Sequence, residues 1–213
     1  MTEPQSPANA PATPKGVATR QRIVDAASDL VFERGTGAVS LDEVLAASGT
    51  SKSQLYHYFA DRSDLIHAVL VRQGERVLDF QRDALNDVDG WEALRGWKDQ
   101  VVALVESLGC RGGCPVGSIA NELAEVDEPA RAEAAWLFDR WQDLLRGALR
   151  AMVDVGQLRR DADIDHLALI GLAAIQGGLL LAKTTRTTAP LEASLDGFIG
   201  YLRTYARARA RAV

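Results

Sequence analysis

The sequence predicts an all-α protein, and three observations predict it. Apolar residues recur at helical spacing along most of the 213-residue chain. No stretch of useful length alternates apolar and polar side chains as a half-buried strand would, and no internal repeat is present. Glycine or proline marks the breaks between helical segments. The length and the 47% apolar content suffice for a buried core, in one or two compact units. A formal net charge of -5 argues against indiscriminate nucleic-acid binding but leaves room for a local basic site.

Residues 1–17 carry Pro4, Pro7, Pro11 and Pro14 among Ala, Ser and Thr, and read as a disordered arm. Lys15 is its one cation, too little to favour contact with a minor groove. A first helix follows from about Ala18 to Arg34, with Ile23, Ala27, Leu30 and Val31 as its buried stripe and Gly35 as its stop. Ser40 then caps a short helix, and Glu43 completes a capping box. Leu41, Val44 and Leu45 give that helix its apolar face. Gly49 supplies the turn, and Thr50 or Ser51 caps the next helix, Lys52 to about Tyr58. Leu55 and Phe59 are four apart and share the face to be buried. A long helix runs from Asp61 to about Leu85, and the Asn86–Gly90 segment breaks it. Helices from Trp91 to Leu108 and from Pro115 to about Glu125 flank a glycine-rich loop. Another begins at Asp127-Glu128-Pro129 and ends at Gly156. A last pair, about Ile164–Thr185 and Leu191–Arg207, is split by Pro190.

Two short helices joined at a glycine, with a third starting at once, have the build of a helix-turn-helix, which seats one helix in the major groove of DNA. The residues left off the buried face have suitable chemistry. Lysine neutralises phosphate, and serine and tyrosine hydroxyls donate to phosphate oxygens. A glutamine amide matches an adenine edge. Between Gly49 and Arg62 the only acid is Asp61. The candidate DNA-binding residues are Ser40, Ser51, Lys52, Ser53, Gln54, Tyr56, His57, Tyr58 and Arg62. Arg62 opens the fourth helix, where free N–H groups favour a phosphate. The competing reading is a solvated polar face on a small core helix.

Within Thr19–Leu70, Ala26, Ala27, Leu30, Gly35, Ser40, Gly49, Leu65 and the run Ser51-Lys52-Ser53-Gln54-Leu55-Tyr56-His57-Tyr58-Phe59 resemble the DNA-binding domain of the TetR family of bacterial transcriptional repressors. The resemblance implies an all-helical homodimer that releases a double-stranded operator when a small-molecule inducer binds. It divides the chain into the arm (1–17), a helix-turn-helix domain (18–65) and a helical ligand-binding and dimerisation domain (66–213). Two positions depart from the family pattern. Thr36 stands where an aromatic commonly follows the glycine, and Arg62 replaces a phosphate-contacting lysine.

In the body, Trp91, Trp97, Trp136, Phe138, Trp141 and Met152, with Cys114, are the candidate lining of an apolar pocket for a hydrophobic or aromatic compound. The alternative is that they fill the core. The Leu167–Ala182 run is apolar nearly all round, which implies burial on every face. Leu167, Ile170, Gly171, Ala174, Gly178 and Leu181, with Phe198 and Leu202, are the candidate dimer interface, the alternative being a core helix of a monomer. Gln176 and three glycines interrupt the run, which falls short of a membrane span. Cys114 lies beside a helix start and near Arg111. That makes a redox or electrophile sensor with Cys110 as resolving partner an alternative function; the plainer reading is a small apolar side chain packing that helix start. Two thiols are half of a tetrahedral zinc set, so neither a metal nor a cofactor is expected. An enzyme using Cys114 with His67 or His166 is a remote alternative. The basic tail of Arg203, Arg207, Arg209 and Arg211 reads as a solvated helix end. No signal-peptide pattern or disulfide framework is visible, and the expectation is a cytoplasmic protein.

Overall fold

The computed structural model describes residues 13–207. The Pro-rich residues 1–12 and the arginines at 209 and 211 lie outside the described residues. Among those described there are nine helices: α1 (Pro14–Arg34), α2 (Leu41–Ser48), α3 (Lys52–Tyr58), α4 (Arg62–Leu85), α5 (Trp91–Ser107), α6 (Pro115–Leu123), α7 (Glu128–Asp154), α8 (Ile164–Thr185) and α9 (Ala189–Arg203). A single isolated bridge, Leu158 to Ala206, is the nearest approach to strand structure. The all-α expectation holds.

Two boundaries differ from the sequence reading, each for a local reason. α1 begins at Pro14 and so takes in the end of the expected arm. Thr13 caps it, accepting from the Gly16 N–H at 3.1 Å, and Pro14 occupies the first turn, where its missing N–H costs nothing. α9 stops at Arg203, short of Arg207. The chain beyond it is drawn into pairing with the segment after α7: Arg159 N–H donates to Tyr205 O at 2.9 Å and Arg207 N–H to Gln157 O at 3.1 Å.

The chain forms two compact units. Among the described residues, the first comprises those up to Val77 together with Pro115–Leu137; the second comprises Leu78–Cys114 and those from Phe138 onward. α4 and α7 each run from one unit into the other. In the first unit, Ile23, Val24, Ala27 and Val31 of α1 are buried, as are Val44 of α2, Leu55 of α3, and Leu65, Val69 and Leu70 of α4. Phe59, just past α3, is fully buried with them. Gly74 lets α7 approach α4 closely, since a Cβ there would fall 2.3 Å from Leu137 Cδ2.

In the second unit the principal packing is α8 on α9. Gly171 accommodates the Phe198 ring, which would stand 2.7 Å from an added Cβ, and Gly178 brings α8 within 2.9 Å of Leu191 Cα on the same measure. This corrects the expected dimer set. Leu167, Gly171, Gly178, Phe198 and Leu202 are buried within one chain and mate α8 with α9. Ile170 and Ala174 are half-buried, and Leu181 is 53% exposed. Within one chain α8 is not buried on every face. Leu169, Leu180 and Leu181 stand out from it, and Ala173 and Gly177 share their exposure. By length and composition α8 could cross a membrane, because the helix extends past the apolar run at both ends. Its glycine seam packs it closely against α9 within the second unit.

Candidate nucleic-acid interface

The head is built from reciprocal caps. Ser40 Oγ accepts from Glu43 N–H at 3.3 Å while Glu43 Oε2 accepts from Ser40 N–H at 2.9 Å. Ser51 and Gln54 repeat the arrangement at 3.2 and 2.9 Å. Each box satisfies two N–H groups that a helix start otherwise leaves unpaired. The Ser40 backbone N–H and hydroxyl, then the Arg34 guanidinium at 2.6 Å, lower the Glu43 carboxyl to about 2. Gly49 turns between α2 and α3 with φ 63°, a conformation that side chains resist.

α3 therefore starts rigidly and is held by one face. Leu55 is buried, and Ser51, Lys52, Ser53, Gln54, Tyr56 and His57 are exposed together. Lys52 Nζ lies 6.0 Å from the Tyr56 ring centroid, placing a cation beside the hydroxyl-bearing side chain. Gln54 uses its carbonyl oxygen in the cap, so its amide nitrogen is the part directed to a partner. Two expectations change. Tyr58 is only 9% exposed and packs with Leu55, because at i+3 it falls on the buried face; His57 meets it edge-on, with centroids 4.8 Å apart. Arg62 does more than offer charge: its guanidinium donates to the carbonyls of Thr36 and Val39, holding the turn between α1 and α2 while the residue stays exposed.

That turn carries a feature the sequence reading missed. Thr36 is 4% exposed and bonds Glu122 of α6 twice, through its hydroxyl and through its N–H at 2.8 Å. At this position the chain presents a hydroxyl and an N–H to a carboxylate. Thr36 was visible in the sequence as a departure; a partner 86 residues away was not. A second anchor joins α4 to the start of α7. Asp127 accepts from Ser63 Oγ and Ala130 N–H and meets His67 Nε2, all at 2.9 Å.

Of the candidate pocket residues, Trp136 belongs to the first unit and the others to the second. Trp97, Trp141 and Met152 are buried core residues. Trp97 Nε1 donates to Gln81 at 3.0 Å, whereas Trp141 Nε1 is buried with no hydrogen-bond partner. Phe138 and Trp91 are half-buried, and Arg203 stacks over the Trp91 ring at 5.4 Å. Cys110 and Cys114 are each 6% exposed and share no disulfide, which deprives the sensor alternative of an accessible thiol. His67 Nε2 is committed to Asp127, so nothing assembles it into a nucleophile–base pair.

Comparison with known proteins agrees with this geometry. Residues 23–69 match the family model described as bacterial regulatory proteins, tetR family. Residues 91–196 match the C-terminal domain of LmrA/YxaF-like transcriptional regulators. An HTH-type transcriptional regulator of Mycobacterium tuberculosis is 31% identical, the alignment covering 81% of this chain and 88% of that one. The HTH-type transcriptional repressor DhaR of a Mycobacterium species is 26% identical over 81% and 86%. The crystal structure of a TetR regulatory protein from Rhodobacter sphaeroides superposes with a TM-score of 0.78 at 25% identity, covering 86% of this chain and 98% of that one. With a capped recognition helix, a matching body and relatives along most of its length, the chain belongs to the TetR family of bacterial transcriptional regulators, which are DNA-binding proteins and not enzymes.

Proposed function

We propose that this regulator is a cytoplasmic, homodimeric repressor that leaves a palindromic operator when a small molecule binds its second unit. The observation that carries the reading is the exposed row Ser51, Lys52, Ser53, Gln54, Tyr56 and His57 on a helix whose opposite face is locked in the core. Two such helices, one per protomer, enter successive major grooves. Residues 18–65 read DNA, and the rest of the chain binds ligand and dimerises. The exposed Leu169, Leu180 and Leu181 support a two-fold contact through α8, since contiguous exposed leucines mark an association surface. DhaR, a relative along most of the chain, is a repressor.

Trp141 supports the inducer part. A buried indole N–H without an acceptor costs about 1–3 kcal/mol. An apolar compound carrying a carbonyl or ether oxygen recovers that cost, and operator release then follows from its differential affinity for two conformers. The test is selection of binding sites from random duplex DNA by the purified full chain. Enrichment of an inverted repeat supports the reading, and its absence at low salt with folded protein overturns it.

A further inference from the structure

The first unit holds a cleft of about 660 Å3 lined by α1, α4 and the first turns of α7. It is separate from the Trp141 core, which lies in the second unit. Val24, Ala68, Val71 and Ala132 give it apolar surface, and Trp136 adds an indole. Most of its polar lining is already spoken for. Arg72 Nε donates to Asp25 at 2.9 Å, His67 is held by Asp127 at 2.9 Å, and Asp64 accepts from Ala60 N–H at 3.1 Å. Glu133 stands apart as the acid among the exceptions: its Oε1 is buried and has no hydrogen-bond partner. Arg20 has a buried Nε in the same condition, but its guanidinium already lies 5.1 Å over the Phe59 ring. Burial raises the Glu133 carboxyl above its ordinary range, with His67 opposing the shift, as befits an acid waiting for a counter-charge.

We propose that this cleft is a ligand site for small aromatic amines, the ammonium bonding to Glu133 and the ring lying on Trp136. An indole face favours a cation and an aromatic body alike. The acids Asp64, Glu75 and Glu133 outnumber the arginines in the lining, which disfavours an anion. The site is independent of the inducer reading.

Three naphthalene probes of nearly equal size test it by calorimetry on the full-length protein: 1-naphthylmethylammonium, 1-naphthylmethanol and 1-naphthoate. The expected result is that the ammonium binds at least tenfold more tightly than either other probe. E133Q lowers its affinity tenfold or more, and W141F leaves it unchanged. A68F, which fills the cleft while leaving Glu133 in the sequence, abolishes binding and serves as the second variant should E133Q fold poorly. Equal affinity for the three probes, tighter naphthoate, no binding of the ammonium, or loss of binding in W141F but not in A68F overturns the proposal.

Discussion

α3 and α8 both turn a full row of side chains outward, and the two rows differ in kind. On α3 they are Lys52, Ser53, Gln54, Tyr56 and His57, all able to hydrogen-bond. On α8, within the Leu167–Ala182 run, they are Leu169, Ala173, Gly177, Leu180 and Leu181, none with a polar side chain. Both helices have an opposite face that is fully satisfied, by Leu55 and Tyr58 in one case and by the glycine seam to α9 in the other. On the proposed reading each outward row reports its partner's chemistry. Polar groups that water satisfies well are kept exposed for phosphates and base edges, and leucines held in water are stabilised only by another apolar surface.

The largest break in this contrast comes from charging the apolar row. L180D combined with L181D is expected to give a monomer by analytical ultracentrifugation and to weaken operator binding about a hundredfold or more, as linked two-site binding is lost. The helical content of each protomer is expected to be unchanged by circular dichroism. If the double variant stays dimeric, α8 is not the interface. The next effect falls on the polar row. K52A removes one phosphate contact per head, so the slope of log K against log salt is expected to fall by about 1.8 for the dimer. Affinity drops with little change in sequence preference. An unchanged slope places Lys52 away from the backbone.

The two rows were not equally legible in the sequence. On α3 the spacing rule worked because the helix is short, capped at a known residue and covered on one side. It failed at Tyr58 because an aromatic with a hydroxyl was assigned by its polarity, although its i+3 relation to Leu55 puts it inside. Along the Leu167–Ala182 run of α8 every residue but Gln176 is compatible with burial, so hydrophobicity could not say which face meets α9 and which faces out. The small residues decided that, through Phe198 and Leu191, and those contacts are tertiary. The Thr36–Glu122 bond was equally out of reach, since nothing local couples a turn to a carboxylate on α6.

Smaller effects sharpen the contrast. G178A keeps α8 apolar yet forces its seam apart from Leu191, and is expected to cost about 1–3 kcal/mol in denaturant unfolding. Its outward row is untouched, so a fall in stability without loss of dimer separates the seam from the interface. T36V strips the hydroxyl from Glu122 and is expected to cost about 1–2 kcal/mol, with a drop in operator affinity if α6 fixes the head. If stability falls while affinity is unchanged, the bond is structural only.

The least effect is one of pH, and it belongs to the polar region alone. Glu43 titrates near 2 in the folded head, below the ordinary carboxyl range around 4.5, because the Ser40 N–H and hydroxyl and then Arg34 hold its charged form. A lowered folded value means that the unfolded chain takes up the proton first as acid is added. The stabilisation is thus whole above about pH 4.5 and is lost as pH falls toward 2. Wild-type protein is expected to melt progressively lower across that window, and E43Q is expected to show a flatter profile. The apolar row on α8 has no group that titrates there. A wild-type profile no steeper than that of E43Q would mean that the charge on Glu43 does not contribute to the stability of the head.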